Sequence, residues 1–147
     1  MNEIEMKART KAFALRILKL IEALPETRSG RIVANQLGRS GTSVGANYRA
    51  VCRAKSTADM IAKLAIVEEE ADESAFWLEV VPDAGLLPAV KTAALWKEAD
   101  ELTAIMVASR RTLQSSGNRK SKFESRKSDH SYRSASIGSS AAAFQAG

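Results

Sequence analysis

One cysteine, Cys52, and one histidine, His130, are all that this 147-residue chain offers to thiol and imidazole chemistry. A lone cysteine excludes an internal disulfide, and one histidine with one distant cysteine cannot assemble an ordinary zinc site. No run of about 18 apolar residues occurs, so no segment is suited to spanning a bilayer. The start, Met1-Asn-Glu-Ile-Glu-Met-Lys7, lacks the basic end and apolar centre of a secretory signal, and a cytoplasmic location is expected. No alternating strand pattern competes with helix. What the chain does have is an apolar fraction of 45%, ample for the core of one domain.

Charge of one sign is also missing locally. From Arg28 to Lys55 there is no acidic residue, while Arg28, Arg31, Arg39, Arg49, Arg53 and Lys55 are basic. The next stretch reverses the sign with Asp59, Glu68, Glu69, Glu70, Asp72, Glu73 and Glu79. Such neighbours can cancel within one molecule, bind the next subunit, or leave a basic face for an anionic partner. The formal charge of +5 is unevenly spread: residues 1–113 carry 16 basic and 15 acidic groups, residues 114–147 carry 6 and 2. That C-terminal stretch is rich in Ser, Gly, Lys and Arg and has no apolar period. It is expected to be a disordered tail, either dispensable or a tether for RNA or DNA.

Apolar spacing in the remainder predicts four helices. Met6, Thr10, Phe13, Ile17, Leu20 and Leu24 step by fours and threes along one face, and Pro25 follows as a stop. A second helix, from about Thr27 to Ala54, turns Gly30, Val33, Leu37, Ser40, Val44, Asn47 and Val51 inward, small residues that favour close approach. Gly38, Gly41 and Gly45 each cost about 1 kcal/mol relative to Ala and offer a place for a bend near Gly41, although the pattern stays in phase across it. Ser56 can cap a third helix, with Asp59 complementing its positive end. The inward stripe there is Met60, Leu64, Val67, Ala71, Ser74, Leu78 and Val81, and Pro82 to Gly85 end it. The fourth carries Leu95, Ala99, Leu102, Met106, Ser109 and Leu113. Heptad-like stripes joined by short connections imply an all-α fold, an up-and-down antiparallel four-helix bundle over residues 1–113. Phe76, Trp77 and Trp96 flank these stripes and either widen the core or face another subunit.

Signals for catalysis are weak. Di-iron bundles need inward Glu-x-x-His pairs, and no histidine falls within the bundle, so the acidic run reads as a solvated or subunit-facing surface. Ser40, Thr42 and Ser43 near Gly41 and Gly45 lack phosphate-loop spacing and a preceding strand; their hydroxyls are expected to satisfy local backbone. Cys52 lies beside Arg49 and Arg53 but has no nearby histidine, and reads as a small half-buried thiol. No metal, cofactor or enzymatic activity is expected.

The segments Arg39-Ser-Gly-Thr-Ser-Val-Gly-Ala-Asn-Tyr-Arg49, Arg53-Ala-Lys-Ser56, Lys63-Leu-Ala-Ile-Val-Glu-Glu-Glu-Ala-Asp-Glu73 and Phe76-Trp-Leu-Glu79 occur in the order and spacing of a known family. Over about residues 7–113 the chain resembles the bacterial four helix bundle proteins, also called the S23 or 23S rRNA intervening-sequence proteins. That resemblance implies a cytoplasmic bundle without known catalysis and a homo-oligomer, a pentamer in structurally known members. A related branch, the accessory proteins of diversity-generating retroelements, implies nucleic acid and a reverse transcriptase as partners. Within the acid-free segment, Arg49 and Arg53 stand four apart, placing both on one helical face, and are the leading candidates for RNA or DNA contact. Arg39 and Lys55 are weaker candidates. The competing role for Arg49 and Arg53 is pairing with carboxylates of the third helix. Asn47 is expected to be a buried amide that satisfies backbone.

Overall fold

The computed structural model describes residues 1–140, with side chains through Asp129. Four long helices dominate: α1 (Glu3–Glu22), α2 (Arg28–Val51), α3 (Thr57–Asp83) and α4 (Ala93–Ser140), with a short 3-10 turn at Ala89–Lys91 before α4. No strand occurs among the described residues. The chain divides into two compact units, Met1–Arg111 and Thr112–Gly147. The first is an antiparallel four-helix bundle in up-and-down order.

Local chemistry sets the helix ends. Asn2 caps α1 through a reciprocal box, its Oδ1 accepting from Glu5 N–H at 2.9 Å while its own N–H donates to Glu5 Oε2 at 3.0 Å. Thr27 caps α2 by accepting from Gly30 N–H at 3.1 Å, and Ser56 caps α3 by accepting from Asp59 N–H at 3.0 Å. Asp59 answers by accepting from Lys55 N–H at 3.0 Å. Helix α3 closes in a Schellman arrangement: Leu86 N–H donates to Val81 O and Gly85 N–H to Pro82 O, both at 2.9 Å. That turn needs a left-handed residue, and Gly85 supplies it with φ of +70°.

The expected stripes become the core. Met6, Thr10, Phe13, Ile17, Leu20 and Leu24 of the first stripe are all buried, as are Leu95, Ala99, Leu102 and Met106 of the last. Helix α2 packs against both α1 and α3. It can do so because its contact positions are small. The α-carbon of Gly41 lies so close to Ile17 that an added Cβ would sit 2.8 Å from two side-chain carbons, and one on Gly45 would come within 3.3 Å of Thr10 O. Against α3 the buried Ser40 faces Ser74, whose hydroxyl reaches Ser40 Oγ at 3.1 Å and its own Glu70 carbonyl at 2.8 Å. No buried side-chain N or O is left without a partner among the described residues. Helix α2 runs unbroken through Gly41. The small residues serve packing there, and no break occurs at Gly41.

Residues 114–140 form a continuation of α4. Helical backbone needs no packing partner: the stretch contains no proline, and Lys, Arg and Ser support or tolerate a helix. The missing apolar stripe instead appears as exposure, since every described side chain from Gln114 to Asp129 is exposed. His130 and the final Ala-Ala-Ala-Phe-Gln-Ala-Gly fall outside the described side chains.

Candidate nucleic-acid interface

Three arginines of the bundle are consumed by carboxylates. Arg9 of α1 donates to Glu98 of α4 through Nε at 2.7 Å and Nη2 at 2.9 Å, and to Glu101 at 2.7 Å. Arg110 of α4 makes a two-point contact with Glu68 of α3 at 2.9 and 3.3 Å. Arg39 of α2 bridges Glu70, at 3.1 and 3.2 Å, and Glu73 of α3. Arg9 keeps the Glu98 carboxyl below its ordinary range, and Glu73 and Glu70 raise the Arg39 guanidinium. The pairing with α3 carboxylates that sequence offered to Arg49 and Arg53 thus falls to Arg39 and Arg110. Rotation of α2 about its axis decides this: Arg39 lies on the side turned to α3.

The side chains of Arg49 and Arg53 are exposed and make no hydrogen bond or ion pair among the described residues. Their spacing needs one correction. Helix α2 ends at Val51, and Arg53 N–H donates to Ala50 O at 3.1 Å in the turn beyond it, so the two do not share a continuous helical face. The side chain of Lys55 is exposed in the same turn.

Arg49 also lines a groove between α1 and α2, a cavity of about 440 Å³ bordered by Lys7, Lys11, Thr42 and Arg49 and floored by Ala8, Ala14, Gly45 and Ala46. Lys7 is partly neutralised by Glu3 at 2.6 Å, whereas Lys11 and Arg49 have no carboxylate partner among the described residues. Sequence reading missed Lys7 and Lys11 as neighbours of Arg49. Their i, i+4 spacing on α1 was visible, but not that α1 would lay them beside α2.

The remaining polar candidates are occupied locally. Thr42 Oγ1 donates to Gly38 O at 2.7 Å, Ser43 Oγ to Arg39 O at 2.6 Å, and the half-buried Asn47 Nδ2 to Ser43 O at 2.9 Å. Cys52 is half-buried, and burial together with Glu3 raises its thiol. Burial likewise pushes Tyr48 up to about 12. The α3 carboxylates divide between arginine partners and solvent, and among the described residues no three His, Cys, Asp or Glu groups gather to hold a metal. No helix among them is long and apolar enough to cross a membrane.

The flanking aromatics are only partly covered. Phe76 is exposed and meets Trp77 edge-on, ring centroids 5.0 Å apart at 71°. Trp96 is partly exposed and donates from Nε1 to Glu79 at 2.8 Å.

Known proteins agree with this geometry. A crystal structure of a protein of unknown function from the S23 ribosomal protein family of Bacteroides thetaiotaomicron superposes with a TM-score of 0.69. It is 30% identical, and the match covers 76% of this chain and 99% of that one. No curated protein matches. The sequence profile of the 23S rRNA-intervening sequence proteins matches residues 2–108, which takes in α1, α2, α3, the start of α4 and every ion pair between them except that of Arg110. By that match, the chain belongs to the 23S rRNA-intervening sequence protein family.

Proposed function

We propose that the protein is a non-enzymatic, self-associating helical scaffold that binds nucleic acid through the outward basic face of α1 and α2. One observation carries this reading: Arg9, Arg39 and Arg110 are neutralised by bundle carboxylates, whereas Arg49, Arg53 and Lys11 are exposed and have no such partner among the described residues. A guanidinium without an internal carboxylate is available to phosphate oxygens, which it meets with paired N–H donors. The face has no exposed aromatic on which bases would stack, so its contacts are with the backbone and independent of sequence. Self-association would place several copies of the face on one particle and raise its field. Occupied hydroxyls, a raised Cys52 thiol and arginine-bound carboxylates support a role without catalysis.

Titrating a short labelled RNA and a DNA duplex with the full chain, between about 50 and 200 mM salt, tests the reading. Binding should weaken linearly in log salt. Replacing Arg49 and Arg53 together by Gln should lower the slope by about 1.4 to 1.8, from roughly 0.7 to 0.9 per lost phosphate contact. Unchanged binding by that variant would remove these arginines from the contact. Undetectable binding by the unaltered chain at low salt would favour the second reading, a self-assembling module for protein partners, which exposed apolar residues on α1 and α3 support.

A further inference from the structure

The second unit carries a charge pattern unlike that of the bundle. Between residues 119 and 127, Arg119, Lys120, Lys122, Arg126 and Lys127 stand against one carboxylate, Glu124. At 3.6 residues per turn these five cations fall within roughly 160° of the helix circumference, with Phe123 among them and Ser121 and Ser125 on the far side. Glu124 and Asp129 stand at the margins of that arc. All of these side chains are exposed, and none of the five cations has an ion-pair partner among the described residues. Arg119 reaches only the Ser115 carbonyl of its own helix, at 3.5 Å. Arg119, Lys122, Phe123 and Arg126 frame a hollow of about 200 Å³.

Two features of this stripe are unfavourable in water. Lys122 stands three residues from Arg119 and four from Arg126, and like charges at those spacings oppose an isolated helix. Solvated helix faces ordinarily mix the two signs, as α3 and α4 do within the bundle. Phe123 is 60% exposed and is the only large apolar side chain between Gln114 and Asp129. Lys127 Nζ lies 4.7 Å from its ring centroid, so one face of the ring meets a cation and the other is open. Phosphates would relieve the crowded cations, and a planar base would cover the open ring face.

We infer that this stripe is a binding site for single-stranded nucleic acid, in which the cations meet successive phosphates and a base stacks on Phe123. In a duplex the bases already stack on one another, and the ring gains no face to cover; a single strand is therefore favoured. Neither a phosphate nor the face of a base is peculiar to RNA or DNA, so both bind. A membrane surface fits less well, because an interfacial helix buries a row of apolar side chains and the row here is one phenylalanine. The stripe lies beyond residues 2–108, which the family profile matches, and wholly within Thr112–Gly147. It adds a second surface to the nucleic-acid reading of the α1–α2 face and uses none of that face's residues.

The full chain is titrated into a short labelled single strand, as RNA and as DNA, and into the duplex of the same sequence, with circular dichroism to follow helicity. Single strands of both kinds should bind more tightly than the duplex. Phe123→Ala should weaken single-strand binding by about 5- to 150-fold and leave duplex binding unchanged. Phe123→Leu, apolar but not planar, should lose as much, whereas Phe123→Trp should retain binding. Replacing Arg119, Lys122 and Arg126 together by Gln should lower the single-strand salt slope by about 2, at roughly 0.7 per lost phosphate contact. Loss of binding on changing Arg49 and Arg53, with none on changing Phe123 or the three cations, would overturn this site and leave the α1–α2 face standing. The converse would support this site and remove that face. Undetectable single-strand binding at low salt would overturn the inference, and sedimentation of the same chain with phosphatidylserine vesicles would then assign the stripe to a membrane.

Discussion

Gly41→Ala is the sharpest test of how α1 and α2 meet. On propensity alone the change should stabilise, because Ala is favoured over Gly by about 1 kcal/mol in a helix interior. The structure argues the opposite. The new Cβ would stand 2.8 Å from both Cγ1 and Cγ2 of Ile17 and 3.1 Å from its Cβ, well inside the roughly 3.5 to 4.0 Å of optimal carbon contact. Ile17 is fully buried and β-branched, so neither a rotamer change nor a shift toward solvent relieves the overlap. Overpacking of this kind costs typically about 1–3 kcal/mol. We therefore expect a net loss of about 0–2 kcal/mol, or a midpoint lower by up to roughly 8 °C. Ile17→Ala removes both clashing carbons and by itself should cost about 2–5 kcal/mol as a cavity mutation. In that background Gly41→Ala should cost clearly less than in the unaltered chain, since only the 3.1 Å approach to the residue-17 Cβ remains and the propensity gain is kept. Thermal or urea unfolding of the four proteins gives the coupling directly. Equal destabilisation by Gly41→Ala in both backgrounds would refute the account of this contact.

Three further outcomes are expected. The Glu98 carboxyl is held low chiefly by Arg9, so its contribution to stability is present above the ordinary carboxyl range near pH 4.3 and is lost as pH falls through the lower folded value. Arg9→Met should accordingly cost about 1–3 kcal/mol at pH 7 and clearly less at pH 3, as measured by urea unfolding at both. Thr27→Ala and Ser56→Ala each remove a hydroxyl that accepts a free helix N–H, and each should cost about 1 kcal/mol in the same assay. Truncation after Leu113 removes a stretch whose described side chains are all exposed, and should leave the unfolding midpoint and oligomer mass unchanged; a drop in either would show that the second unit supports the first.

The bundle was legible in the sequence because helical periodicity is local. The stripe from Met6 to Leu24, the cap at Ser56 and the stop at Pro82 to Gly85 need only the 3.6-residue repeat and the chemistry of helix ends to be read. What lay beyond reading was the rotation and neighbourhood of each finished helix. Arg39, Arg49 and Arg53 look alike in sequence, yet Arg39 faces Glu70 and Glu73 across the α2–α3 contact while Arg49 borders Lys7 and Lys11 across the α1–α2 groove. A side chain's own helix sets its phase, but its partner depends on which helix is packed there and at what height. The run after Gln114 shows the same division from the other side. Its lack of an apolar stripe implied exposure, and the helix there rests on local hydrogen bonds, to which packing contributes nothing. Phase, caps and stops thus followed from the residues in order, and tertiary packing alone decided which charges were neutralised and which remained open to another molecule.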